Sequence, residues 1–143
     1  MPHLVILYTG QLDAEVNMTT LCRQMADAML TVKDESGKQV FPTGGTRVLA
    51  YPAPHYAVAD GGAAGKAAGG TGDYAFVYLN VRMGRGRSEA TQQRAGQTLV
   101  DVAKTFFAPV MAQRHIGITL QIDVGPEVFD AKHSNIHPLF NKA

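Results

Sequence analysis

The 143-residue sequence contains only one cysteine, Cys22. A single cysteine excludes a disulfide bond within the chain and is typical of proteins that work in a reducing compartment. The apolar run at residues 4–7 is far shorter than the roughly 7 to 15 residues of a signal-peptide core. No stretch approaches the ~20 apolar residues that a transmembrane helix needs. These absences predict a protein with no membrane partner, and we expect it in the cytoplasm.

The sequence also lacks an excess of charge of either sign. It has 13 Lys and Arg against 12 Asp and Glu, a formal net charge of +1. The chain therefore has no strong net electrostatic attraction for nucleic acids or anionic membranes, and we expect neither as a partner. Its length is that of one ordinary domain, which can bury a hydrophobic core without metals or disulfides.

Hydrophobic patterning in the first half predicts a strand, a helix and a second strand. Residues 4–8 form a continuous apolar run closed by Thr9 and Gly10, which is typical of a strand covered on both faces. From Asn17, a suitable N-cap, apolar residues recur at helical spacing as far as the polar stretch 33–38. Residues 46–51 then favour a strand bounded by glycine and proline on either side.

The same order of elements is predicted in the second half. Residues 74–82 favour a strand by propensity. After the turn at 84–87, Ser88 can cap a long helix that Pro109 should kink or end. Residues 116–124 alternate between apolar and polar side chains, which indicates a half-buried strand. The sequence thus predicts two β-α-β units, residues 1–56 and 74–125, each with parallel strands and a right-handed crossover, followed by a C-terminal tail at 126–143.

The connection between the two units, residues 57–73, contains a Gly/Ala-rich stretch at 61–72. Its glycines and Lys66 suggest a phosphate-binding loop. The pattern fails, because Asp60 stands where a P-loop needs glycine and Ala67 where it needs serine or threonine. We interpret the stretch as a mobile surface loop with little to pack.

Two further sequence patterns suggest a metal site and a reactive thiol, but we predict neither. His133 and His137 have the spacing of helical metal ligands, but an acidic partner is missing and Pro138 follows directly, so we predict no metal site. Cys22 lies on the apolar face of the first predicted helix, with no basic residue spaced to activate it. We therefore predict a packed core thiol.

Pro2 precedes the first predicted strand, which would hold its ring rigidly in the fold. A small second residue allows removal of Met1, and the exposed nitrogen would be a basic secondary amine. Free α-amino groups have a pKa of about 8, which desolvation and nearby arginines would lower toward neutral. Such an amine is a competent general base at cellular pH. Many chains begin Met-Pro without any chemistry, so the residue types alone leave both interpretations open.

Arg47 and Arg87 each stand at the boundary of a predicted element, one entering the second strand and the other preceding the second helix. Rigid scaffolds present functional groups at such boundaries, which makes both candidates for binding an anion. A solvated surface arginine is the alternative, to which we assign Arg82, Arg85 and Arg94.

Taken together, these features resemble the 5-carboxymethyl-2-hydroxymuconate isomerase family of the tautomerase superfamily, which also includes 4-oxalocrotonate tautomerase and macrophage migration inhibitory factor. The match is spread in order over nearly the whole chain. It is carried by Met1-Pro2-His3, Phe41-Pro42-x-x-Gly45-x-Arg47, Ala59-Asp60-Gly61, Asp73-Tyr74-Ala75-Phe76-Val77, Gly84-x-Gly86-Arg87-Ser88 and Asn135-x-His137-x-Leu139-Phe140.

The resemblance implies an α/β (α+β) fold in which the two β-α-β units form a four-stranded mixed sheet with two helices on one face. It implies a homotrimer and a cofactor-free isomerase of aromatic-compound catabolism. By this resemblance Pro2 shuttles a proton between the dienol hydroxyl of an anionic small molecule and a distant carbon. Arg47 and Arg87 match arginines that hold the substrate's carboxylates and stabilise the dienolate.

Two alternative functions remain open at this point. One is a promiscuous tautomerase or a dehalogenase-like hydratase acting on another unsaturated acid. The other is a trimeric binding or assembly module without turnover. The stretch 61–72 is longer than the resemblance leads us to expect, and Arg85 adds a cation beside Arg87. The reaction class is therefore better defined by the sequence than the substrate.

Overall fold

The computed structural model describes residues 2–140. In this range the chain forms four strands and three α-helices, with 3₁₀ turns between them. In chain order the elements are β1 (His3–Thr9), α1 (Met18–Thr31), β2 (Arg47–Ala53), α2 (Ala63–Ala67), β3 (Tyr74–Met83), α3 (Glu89–Met111) and β4 (His115–Val124). The two predicted β-α-β units are therefore present, and α3 ends just beyond Pro109. None of the helices in residues 2–140 is both long and apolar enough to cross a membrane.

The strands form one mixed sheet in the order β2-β1-β3-β4. The β1–β2 and β3–β4 pairs are parallel, and the β1–β3 pair joins the two units antiparallel. His3 pairs with Arg47 on one side and with Arg82 on the other. The start of β1, the start of β2 and the end of β3 therefore meet at one edge of the sheet, and Pro2 lies at this edge.

The helices α1 and α3 pack on one face of the sheet. On the opposite face the short helix α2 contacts Tyr74 and His115, at the start of β3 and β4. Asn17 caps α1 by accepting the Thr20 N–H at 3.1 Å, and Ser88 caps α3 by accepting the Thr91 N–H at 3.1 Å. Both caps fall where the sequence predicts helix starts. The buried core lies between the helices and the sheet, and its largest side chains are Phe41, Phe107, Leu4, Ile6, Leu12, Leu21, Met25, Met29, Leu79 and Leu99.

Cys22 lies in α1, where its partly buried side chain packs against this core. Burial raises the pKa of its thiol above the ordinary value, which disfavours the reactive thiolate. The side chain therefore behaves as the packed thiol that the sequence predicts.

The stretch 61–72 differs from the expected loop, because it contains the short helix α2 and packs against the domain. The Asp60 carboxylate accepts the N–H groups of Gly62 and Ala64, each at 2.9 Å. Gly65 is buried and its N–H donates to the Tyr74 hydroxyl at 2.8 Å. A Cβ at Gly65 would stand 2.6 Å from Tyr74 Cε1. Most of the stretch is exposed, but the prediction that it has little to pack is wrong at Gly65, because glycine lets its backbone contact an aromatic ring directly.

Candidate active site

A cavity of about 520 Å³ lies at the sheet edge where β1 begins. Four parts of the chain enclose it: Pro2 itself, the segment before β2 at Pro42, the turn between β3 and α3 with Gly84 and Arg87, and the C-terminal tail. The remaining lining residues are Glu127, Asp130, Lys132, Ser134, His137 and Pro138. The structure thus brings Pro2 and Arg87, two of the three predicted site residues, to a common cavity.

Pro2 is buried and its position is set by the strand that follows it. Because β1 is paired on both sides from His3 onward, the backbone cannot shift at this point without breaking two ladders. The pyrrolidine ring also ties the nitrogen back to the side chain, which restricts its rotation. The nitrogen is therefore held in place at the wall of the cavity. Met1 lies outside the described residues.

Arg87 is fixed by two backbone carbonyls from different parts of the chain. Its Nη2 donates to the Val40 oxygen at 2.8 Å and its Nη1 to the Gly84 oxygen at 3.3 Å. A guanidinium has five N–H donors in a planar fork, so these bonds orient the group and leave donors to bind an anion. The side chain is half-buried, which strengthens its interaction with a bound carboxylate.

Arg47, the third predicted residue, lines a neighbouring cavity of about 480 Å³ between α1 and the start of β2. Its Nη1 donates to the Gly45 oxygen at 2.8 Å. The short 3₁₀ helix His137–Phe140 stands between the two cavities, with His137 on the Pro2 side and Phe140 on the Arg47 side. The structure therefore places Arg47 at the same sheet edge as Pro2, and its side chain lines the adjacent cavity.

Sequence patterns alone assigned no function to the C-terminal tail, which supplies much of the cavity wall. The tail docks through Gly44, where a Cβ would stand 2.7 Å from His137 Cα and 3.2 Å from Phe140 Cδ2. Only glycine allows this approach. A bare glycine pair at residues 44–45 is the signal in the sequence that could have indicated a close contact of this kind.

The charged side chains that line the Pro2 cavity balance one another. Arg87 and Lys132 are cationic, whereas Glu127 and Asp130 are anionic. Lys132 forms an ion pair with Asp130, and this hydrogen-bonded ammonium lowers the pKa of the Asp130 carboxyl. Asp130 is therefore ionised at neutral pH.

We expect Gly44→Ala to release the C-terminal tail from this docking site. The added methyl group forces a shift costing about 1–3 kcal/mol, by the usual cost of overpacking. Hydrogen exchange at the Leu139 amide, which donates to the Ile136 oxygen at 3.0 Å, should become faster. Gly96→Ala in α3 is the control, since its Cβ would meet only the flexible Ile122 Cδ1 at 3.3 Å. Equal exchange rates in the two variants would contradict this role of Gly44.

The cavity has the components for moving a proton in an anionic substrate. A secondary amine at Pro2 could take and return a proton, and the Arg87 guanidinium could hold a carboxylate or an oxyanion beside it. Among residues 2–140, no three His, Cys, Asp or Glu side chains are grouped to hold a metal ion, and His133 is not in the cavity wall.

The fold places the chain in a class of proteins. A fused 4-OT, solved as an asymmetric trimer, superimposes with a TM-score of 0.58 over 98% of this chain and 99% of that chain. At 13% identity this likeness shows the fold alone. The chain therefore has the tautomerase fold, as its sequence predicts.

A family model and more similar proteins identify the family to which the chain belongs. The family model described as 5-carboxymethyl-2-hydroxymuconate isomerase matches residues 2–140, and the chain belongs to this family. A crystal structure of a 5-carboxymethyl-2-hydroxymuconate delta-isomerase is 65% identical, with a TM-score of 0.96 over 100% of this chain and 95% of that chain. The 5-carboxymethyl-2-hydroxymuconate Delta-isomerase of Escherichia coli is 26% identical over 140 residues, 98% of this chain and 99% of that protein. The predicted family of isomerases is confirmed.

Proposed function

We propose that this protein isomerises 5-carboxymethyl-2-hydroxymuconate without a cofactor, with the Pro2 nitrogen as the proton shuttle. The observation that carries the proposal is the shared cavity of Pro2 and Arg87. Family membership supplies the substrate, because the relatives are named for it. A cytoplasmic location is part of the proposal and rests on the lone thiol of Cys22.

The reaction needs one base that becomes an acid. The unprotonated Pro2 nitrogen takes the proton of the substrate's 2-hydroxyl, which leaves a dienolate with its charge spread along the conjugated chain. The protonated nitrogen then returns a proton to a carbon at the far end of the diene and forms the ketone. Atoms and charge balance within the substrate, so no redox partner or metal is required.

The arginines bind the substrate and tune the amine. A guanidinium binds a carboxylate through two parallel hydrogen bonds and stabilises negative charge that develops nearby. Its positive charge also disfavours protonation of Pro2 and lowers the pKa of the amine. We assign these functions to Arg87 in the Pro2 cavity and to Arg47 at the same sheet edge.

We also propose that three copies of the chain associate through the face of the sheet opposite α1 and α3. Apolar side chains share this face on neighbouring strands, where Leu7 is opposite Tyr51 and Tyr78, and Val5 is opposite Leu49. Leu7, Leu49 and Tyr51 are 46–50% exposed in the single chain. Covering such a patch favours association.

Light scattering tests the trimer. We expect a particle of three times the 15.3 kDa chain mass, and we expect Leu49→Lys to shift it toward smaller species because a buried charge is costly. Gln24→Lys on the exposed face of α1 is the control and should leave the mass unchanged. A wild-type protein that stays monomeric would contradict the trimer.

An ultraviolet assay of ketonisation tests the function. The trimmed protein should convert 5-carboxymethyl-2-hydroxymuconate faster than a panel of other unsaturated acids, including a 3-haloacrylate. Faster turnover of another acid would favour a different tautomerase or a hydratase. Absence of turnover on every dienol would favour a binding module.

A further inference from the structure

The proposed substrate carries three carboxylates, more anionic groups than the Pro2 cavity neutralises. The charges of Arg87 and Lys132 are offset by those of Glu127 and Asp130. The two proposed binding arginines, Arg87 here and Arg47 in the adjacent cavity, account for one carboxylate each. Burying a carboxylate without a hydrogen-bond donor is unfavourable. A tricarboxylate therefore needs a further donor from the wall of this cavity.

Two other polar side chains of the C-terminal tail that line the cavity have contacts of their own. Lys132 is paired with Asp130, and its side chain is 47% exposed to solvent. The Ser134 hydroxyl oxygen accepts the N–H of Ile136 at 3.0 Å and that of His137 at 3.4 Å, which fixes the oxygen and leaves its O–H as a donor. His137 has the longer side chain of these two donors, and its ring packs against Gly44.

The surroundings of the His137 ring enclose one of its two nitrogens. Its Nδ1 is buried and has no hydrogen-bond partner among residues 2–140. Gly44 lies against the same nitrogen, since a Cβ there would stand 2.9 Å from Nδ1. The packing of the tail therefore encloses Nδ1, and Nε2 is the ring nitrogen that remains to donate to a ligand.

We propose that His137 donates from Nε2 to the carboxylate of the substrate's carboxymethyl branch. The two carboxylates conjugated with the diene must stay near its plane, beside Pro2 and the guanidinium that stabilises the dienolate. The branch carboxylate is joined through a tetrahedral carbon, so it rotates out of that plane and reaches a different wall. His137 therefore sets the preference for a tricarboxylate over 2-hydroxymuconate, the dicarboxylate without the branch. This inference rests on the proposed function.

The test compares two variants on two substrates. Asparagine places its amide near the position of Nδ1, whereas glutamine places it near Nε2. We expect His137→Asn to raise KM for the tricarboxylate about tenfold, the usual effect of losing a hydrogen bond to a charged group, with kcat within about twofold. KM for 2-hydroxymuconate should change by less than about twofold, since that substrate lacks the bonded carboxylate. His137→Gln should restore most of the affinity for the tricarboxylate.

His133→Asn is the matched control, because His133 is an exposed tail histidine outside the cavity wall. It should leave both KM values unchanged. Equal rises in KM for the two substrates in His137→Asn would overturn the inference, since they would mean that His137 only holds the tail. Unchanged KM values would overturn it as well. A Pro2→Ala variant with wild-type turnover would instead overturn the proposed function, and the inference with it.

Discussion

Pro2→Ala is expected to lower kcat for 5-carboxymethyl-2-hydroxymuconate by about 10²-fold, within the usual contribution of a positioned general base. Alanine also allows removal of Met1, so the variant still has a free amine at the chain start. This amine is primary, and it lacks the ring that fixes the nitrogen relative to β1. KM should change by less than about threefold, because the substrate is held by other groups. Steady-state kinetics on the trimmed variant measure both constants.

The acid limb of the pH profile gives a second readout of the same substitution. The base must be unprotonated to take the substrate's proton, so kcat/KM of the wild type should fall as pH drops through the pKa of the Pro2 amine. The inflection should move when alanine replaces proline, because the titrating group has changed. Unchanged kcat and an unmoved inflection in Pro2→Ala would show that another group is the base.

Arg87→Ala is expected to lower kcat/KM by about 10²–10³-fold, the usual cost of losing a preorganised donor to a developing oxyanion. The carbonyls of Val40 and Gly84 orient this guanidinium in the Pro2 cavity. Lys132, the other cation of the cavity wall, is paired with Asp130. Arg87→Lys should recover only part of the loss, because an ammonium has no planar fork to hold a carboxylate at two points.

The matched control for this prediction is Arg85→Ala. It removes the same charge two positions away, from a side chain that donates to the Gly125 oxygen at 2.9 Å and lies outside the cavity wall. We expect kcat/KM to stay within about threefold of the wild type, the effect of an exposed charge at a distance. Comparable losses in Arg85→Ala and Arg87→Ala would mean that net charge, rather than a specific contact, binds the substrate.

Much of the fold could be predicted from the sequence, because the apolar patterns and the helix caps match the strands and helices that the structure shows. The apolar run at residues 4–8 is the central strand β1. The prediction that both of its faces are covered is not met within the single chain, where Leu7 is 46% exposed. Asn17 and Ser88 stand at the helix starts that their side chains cap. The alternation at residues 116–124 matches β4, one face of which is covered by α3.

Contacts between distant residues could not be predicted in the same way. Gly65 looks like part of a flexible stretch until its backbone is seen against Tyr74. The tail has no periodic pattern, and its place in the cavity depends on Gly44, more than ninety positions earlier in the chain. The same tail helix separates Arg47 from Pro2. Hydrophobic periodicity carries no information about such contacts, because they involve single residues far apart in the chain.

The mass of the N-terminal peptide, taken on the same sample as kcat, tests most directly that the Pro2 nitrogen is the base. Joined to Met1, this nitrogen is a tertiary amide with no useful basicity. We therefore predict that active protein yields a peptide beginning at Pro2, and that kcat rises in proportion to the trimmed fraction. Full kcat in a sample whose chains all retain Met1 would contradict the mechanism.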